Sequence, residues 1–184
     1  MLAVFVPLAL GALTWTFLEY VMHRYLGHDR RFVKKTPFGA EHTAHHSRGN
    51  YFAPTWKKAS FLALVAAVIG VPAYLVLAWP GLFYATGLVG SYLLYEVMHR
   101  LLHVWAGVGP WARWARRHHF YHHFHDPSRN HGVTTPLWDL VFGTYRKIGA
   151  DQIVVPRKLA MPWLVDDTTG DVHRPLAPDY ALRP

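Results

Sequence analysis

The sequence predicts an all-α integral membrane protein with about three transmembrane helices and a cytoplasmic helical cap. Three observations predict it. The chain holds three long apolar runs, its Lys and Arg residues are segregated from those runs, and ten of its 14 histidines form two near-copies of one pattern. The first copy is His23, His28, His42, His45 and His46. The second is His99, His103, His119, His122 and His123, offset by 76, 75, 77, 77 and 77 residues. The lead-in repeats as well, Val21-Met22-His23-Arg24 matching Val97-Met98-His99-Arg100. Two half-sites of five imidazoles imply that the cap carries a histidine-rich dimetal site built jointly from both halves.

Taken in order, Leu2 to Met22 is a 21-residue apolar run with one charge, Glu19. It lacks a basic leader and a small-residue cleavage site, so it reads as a retained span rather than a signal peptide. Ala59 to Trp79 adds 21 uncharged residues, and Leu82 to Met98 adds 17 with only Glu96. A span needs about 20 residues, so the third must run on into His99 and His103. Trp79-Pro80-Gly81 reads as a tight turn that makes the last two a hairpin, and Pro72 is expected to kink its helix. No Lys or Arg precedes Arg24 or lies between Lys58 and Arg100. The flanking segments are dense with them, which by the positive-inside bias places the histidines in the cytoplasm and the N-terminus and hairpin tip outside.

Within each copy the spacing suits convergence. Residues three and four apart share a helix face, which groups His42, His45 and His46, then His99 and His103, then His119, His122 and His123. His23 and His28 are five apart, about 140° around an α-helix, so the helix is expected to break between them at Gly27. Glu19 and Glu96 lie four and three residues before His23 and His99, where each could accept the ring N–H that orients its histidine. His118, His125, His131 and His173 fall outside the repeat and read as ordinary polar residues. Asp126 and Asp139 read as turn or cap residues.

After the second cluster, Asp126-Pro127 and Asn130 to Gly132 are turn chemistry. Pro136 onward, with Leu137, Trp138, Leu140, Val141 and Phe142, reads as a short amphipathic helix on the membrane surface or over the site. Residues 1–147 are expected to form the catalytic membrane domain. Ile148 to Pro184, with five prolines and no helical period, reads as an irregular cytoplasmic tail.

Composition removes several chemistries. There is no cysteine, hence no disulfide, thiolate metal site or cysteine nucleophile. Any metal must be held by imidazole or carboxylate, which suits iron, zinc, copper or nickel. A zinc-protease motif needs Glu directly after the first His of a His-x-x-x-His pair, and here that position is Arg100. No Gly-x-Ser-x-Gly, P-loop or Gly-x-Gly-x-x-Gly occurs. The net charge of +8 flanks the apolar runs, where anionic lipid explains it better than nucleic acid.

The order His-x-x-x-x-His, His-x-x-His-His, His-x-x-x-His, His-x-x-His-His resembles the membrane fatty acid hydroxylase/sterol desaturase superfamily. The segment Gly132 to Thr144, GVTTPLWDLVFGT, looks like the one that closes the fatty acid alpha-hydroxylase branch. The resemblance covers roughly residues 15 to 146. It implies a non-haem di-iron oxygenase acting on a lipid C–H bond, a fatty acyl chain first, with all ten repeat histidines as ligands and no catalytic residue beyond them. Two iron ions are expected, zinc being able to replace them. Electrons would come from a b-type cytochrome or ferredoxin fed by NAD(P)H. The implied setting is a bacterial inner membrane, with a lipid substrate and a redox protein as partners and no nucleic acid. Asn130 is expected to support the substrate headgroup, and by the same resemblance Trp138 and Phe142 would cover its chain. The sequence departs from that branch in having one span before the first box, and His131 where an aromatic is usual. A carotenoid or sterol hydroxylase or desaturase stays open, as does a non-catalytic membrane metal-binding or transport protein.

Overall fold

The computed structural model describes residues 1–184 and resolves into two compact units. One comprises Met1–Glu19 and Ala53–Val97, the other Tyr20–Phe52 and Met98–Pro184. The fold is mostly helical. α1 spans Leu2–Val21, α2 Pro37–Ser47, α3 Thr55–Val65, α4 Val71–Leu77, α5 Trp79–Val104, α6 Gly109–Phe124 and α7 Leu137–Val141.

The first unit is built from α1, α3, α4 and most of α5. Its small core is Trp15, Val65, Leu88 and Tyr92, with Trp15 edge-on to Tyr92 at 4.8 Å between centroids. Glycines set the helix approach. A Cβ on Gly11 would lie 2.0 Å from the Tyr84 carbonyl oxygen, and one on Gly87 would lie 2.0 Å from that of Leu8. Such close backbone crossings are a device of helices that cannot rely on the hydrophobic effect to associate. The outer face is largely apolar: Leu2, Phe5, Leu64, Val68, Leu75 and Val76 are all exposed, Val76 by 79%. Water penalises so large an apolar surface, whereas hydrocarbon does not. Two helical stretches, Leu2–His28 and Thr55–Leu77, are long and apolar enough to cross a membrane. α5 has the length, 26 residues, but Glu96, His99, Arg100 and His103 make its last third polar.

The hairpin turns one residue earlier than the sequence suggests. Ala78, at φ 54°, reverses the chain, and Trp79-Pro80-Gly81 form the first turn of α5. Proline fits there because the first-turn N–H has no helical partner to lose. Gly81 is needed for approach rather than for turning, since its Cβ would sit 1.9 Å from the Ala73 oxygen. The irregularity at Pro72 appears as a π-helical turn, Ala66–Gly70, directly before it.

The second unit carries α2, the end of α5, α6, α7 and the C-terminal segment. α2 starts with Pro37 at its first turn and the Thr36 hydroxyl accepting from the Gly39 N–H at 3.0 Å. The structure corrects two expectations here. The chain is not wholly α, and residues 148–184 hold two short strands within an otherwise irregular run. Ile153–Pro156 (β1) and Tyr180–Arg183 (β2) pair in parallel, Ile153 opposite Tyr180. Ile153, Val155, Met161, Leu164 and Tyr180 are fully buried against Phe120 of α6. The segment grips the histidine-bearing helices. Asp179 forms two bonds with Arg113, at 2.6 and 2.7 Å, and the Trp163 ring N–H donates to the His103 carbonyl at 2.7 Å. Strands of four residues, so far apart in sequence, pair through contacts that no local pattern announces.

Candidate metal centre

All ten repeat histidines lie in the second unit, on four short pieces of helix. His42, His45 and His46 sit on α2, His99 and His103 at the end of α5, and His119, His122 and His123 on α6. His23 and His28 sit on a π-helical turn, Met22–His28, that continues α1. The expected break at Gly27 does not occur. The i→i+5 hydrogen bonds of a π-helix bring residues five apart toward one face, which an α-helix cannot do. Gly27 instead makes room, since a Cβ there would be 2.8 Å from Cδ2 of His42. Only a residue without one lets that ring seat.

The rings form two groups of five, His23, His28, His42, His46 and His122 in one, His45, His99, His103, His119 and His123 in the other. One nitrogen from each ring lies within 4.8 Å of the others in its group. Each group takes four rings from one half of the repeat and one from the other. The exchanged pair, His45 and His122, are counterparts 77 residues apart. Another counterpart pair, His46 and His123, stack between the groups with centroids 4.0 Å apart and planes 4° from parallel. The sequence repeat is thus matched in space by a reciprocal exchange of one ring between the groups.

Three rings are locked by backbone acceptors. Nδ1–H donates to a carbonyl oxygen in His23 (to His131, 2.5 Å), His45 (to Tyr51, 2.7 Å) and His122 (to Arg129, 2.7 Å). A neutral ring that donates from Nδ1 carries a bare lone pair on Nε2. These lone pairs point inward at other nitrogens: His122 Nε2 faces His28 Nε2 at 2.8 Å, and His45 Nε2 faces His99 Nε2 at 2.9 Å. His23, His46 and His123 each bury an Nε2 with no hydrogen-bond partner. Converging lone pairs repel unless a cation lies among them, and adjacent ligands at metal–nitrogen bonds of about 2.1 Å sit roughly 3 Å apart. The residues present therefore fit metal ions. Burial, reinforced by neighbouring imidazoles, pushes the His42, His46, His119, His122 and His123 rings below their ordinary value, so they stand neutral and ready to ligate. No carboxylate belongs to either group.

The structure redistributes the supporting residues. The His23 ring N–H goes to the His131 carbonyl and not to Glu19. Glu96 is ion-paired with Lys58 in the first unit. Asn130 is buried at φ 56°, and its side chain both accepts from the Arg146 N–H and donates to the Arg146 carbonyl. Phe142 stacks on Tyr20 at 5.3 Å, with Trp138 beyond it at 6.3 Å. α7 falls where the sequence placed a short helix.

Asp139 is the residue that sequence reasoning missed. It is fully buried, and its carboxylate accepts from the His131 N–H (2.9 Å), the Gly132 N–H (2.8 Å) and the Thr144 hydroxyl (2.7 Å). The His118 and His131 rings face it at 3.8 and 3.6 Å. Burial alone would raise its pKa, but these two rings, Thr144 and the Gly132 N–H outweigh it and hold the group well below the usual carboxylate range. Asp139 stays ionised.

Histidine groups of this kind could each hold a metal ion. A sequence model described as fatty acid hydroxylase matches residues 8–144, and the chain belongs to that family. It is 32% identical over 158 residues to dihydroceramide fatty acyl 2-hydroxylase FAH2 of Arabidopsis thaliana, covering 77% of this chain and 61% of that protein. With ceramide very long chain fatty acid hydroxylase SCS7 of Saccharomyces cerevisiae it shares 30% identity, covering 73% of this chain and 36% of that one. The solved structure of full-length Scs7p, in which only the hydroxylase domain is visible, superposes with a TM-score of 0.58 at 27% identity, covering 79% and 56% of the two chains. The chain therefore spans less than two thirds of the length of these relatives.

Proposed function

We propose that the chain is a di-iron membrane oxygenase that hydroxylates a long-chain lipid, a fatty acyl chain first. The overall change is R–H + O2 + 2 electrons + 2 protons giving R–OH + H2O. The observation that carries the proposal is the pair of five-imidazole groups whose lone pairs converge without a carboxylate among them. One iron would be held by His23, His28, His42, His46 and His122, the other by His45, His99, His103, His119 and His123. Bound there, iron supplies the redox chemistry that an unstrained C–H bond needs and that no side-chain acid or base provides.

The chain's own residues do the rest. Burial keeps the rings neutral, and the carbonyls of His131, Tyr51 and Arg129 fix three of them with Nε2 inward. Arg100, in place of a glutamate, leaves the His99–His103 pair without a water-activating base, which disfavours hydrolysis. Tyr20, Trp138 and Phe142 form an aromatic group that we assign to covering the acyl chain and excluding water. Residues 1–147 are the catalytic part, and residues 148–184 brace α5 and α6.

The names of the relatives, fatty acyl 2-hydroxylases and ceramide hydroxylases, support an acyl chain in a sphingolipid-type substrate oxidised at carbon 2. α1, α3–α4 and α5 would be three spans of a bacterial inner membrane, the N-terminus outside and the histidines and C-terminus in the cytoplasm, as the basic segments Arg24–Lys58 and Arg100–Arg117 favour. The two electrons would arrive from a b-type cytochrome or ferredoxin fed by NAD(P)H. The test is reconstitution with iron, a reductase system and candidate lipids under 18O2. One labelled oxygen in the lipid is expected; label entering only from H218O would overturn the oxygenase reading.

A further inference from the structure

We propose that Asp139 is a positioning residue for the first histidine group, acting on His23 through a single peptide unit. The Gly132 N–H and the His131 carbonyl are the two ends of one amide. Asp139 accepts from the N–H end at 2.8 Å, and His23 Nδ1–H donates to the carbonyl end. A carboxylate on the N–H side polarises the amide and makes its oxygen a stronger acceptor. The stronger acceptor draws on the ring proton and makes His23 Nε2 a better electron donor. Metal-binding histidines commonly give their other N–H directly to a carboxylate. Here the same effect crosses one peptide bond.

The local geometry is built for this path. A Cβ on Gly132 would lie 2.1 Å from the Thr135 oxygen and 3.1 Å from Asp139 Oδ2, so only glycine lets the amide reach the carboxylate. Two further donors, the His131 N–H and the Thr144 hydroxyl, pin Asp139 Oδ1. Gly132, Asp139 and Thr144 all belong to the GVTTPLWDLVFGT segment. The relay thus gives that segment a role at the metal centre that covering a substrate would not require.

The inference rests on the two-metal reading above, and zinc titration with a competing chelator separates the two. Wild-type protein should take up two ions. In Asp139→Asn, which keeps the shape and removes the charge, one ion should bind about 10–100-fold more weakly while the other is unchanged. Thr144→Val, which removes one bond to the same carboxylate but leaves its charge, should weaken the same ion by less than Asp139→Asn does and leave the other unchanged. After iron loading, one midpoint potential should move upward in Asp139→Asn and the other stay. A merely structural role would not select one ion. Two ions bound as in the wild type by Asp139→Asn would overturn the relay alone. Failure of the wild type to bind two would overturn the metal centre itself. Should Asp139→Asn not fold, two other variants decide. The ion left in His99→Ala, which keeps the first group whole, should resist chelator longer than the ion left in His28→Ala. Equal or reversed resistance would overturn the relay.

Discussion

The two histidine groups have the same composition and the same exchange of one ring, yet they stand on different backbones. In the second copy, His99 and His103 are four apart on the regular helix α5. In the first, His23 and His28 are five apart, and the extra residue is absorbed as a π-helical turn. The first group also leans on glycine, for Gly27 makes room for the His42 ring. What the two halves hold in common is where the rings converge, and the main chain deforms to keep it. That is the order expected when ligand geometry is the constraint and helix regularity can be given up locally.

Removing an exchanged ring should break the comparison most severely. His45→Ala takes from the second group its single ring from the other half, and His122→Ala does the same to the first. Each variant should retain no more than one tightly held ion and lose hydroxylation by at least about 100-fold, measured by elemental analysis and product formation. Equal metal content in wild type and variants would mean that the exchange has no part in binding.

A smaller and one-sided effect is expected from Gly27→Ala. The new methyl group meets Cδ2 of His42 at 2.8 Å, so the ring must move. The first group should weaken by about 10-fold or more while the second holds its ion, because His99 and His103 need no glycine between them. Stepwise zinc titration distinguishes this from a uniform loss, which would show that the two groups are not separable.

Acid should act on both groups together, and more gently. The folded-state pKa values of His42, His46, His119, His122 and His123 are depressed below 6.5 by burial and by one another. The stability of the metal-free protein is therefore fully present above about pH 6.5. As pH falls below that, the unfolded chain takes up protons that the folded chain refuses, and stability declines by about 1.4 kcal/mol per pH unit for each such proton. Thermal melts of metal-free protein from pH 7.5 to 5 should show the decline, and bound metal should lessen it. A flat profile would contradict neutral buried rings.

Much of this centre is legible in the chain because imidazole is scarce and its spacing is rigid. The repeat of ten histidines, the need for both halves and the apolar runs are properties of residue type and period. The parts that were not legible are carried by backbone. The π-helical turn at Met22–His28 depends on a hydrogen-bond shift that no side chain announces. The acceptors of His23, His45 and His122 are carbonyls, which every residue possesses, so Glu19 drew attention that belonged to His131. Asp139 looks like a capping residue in sequence, and only the fold brings His131, Gly132 and Thr144 around it. The pairing of Ile153–Pro156 with Tyr180–Arg183 is non-local in the same way.

The central claim is that two groups of five imidazoles, each completed by a ring from the other half, hold two metal ions. Elemental analysis of full-length protein purified after iron-replete expression tests it most directly. Two ions per chain, iron or the zinc that replaces it, are predicted; one ion or none, in protein shown to be folded, would contradict it.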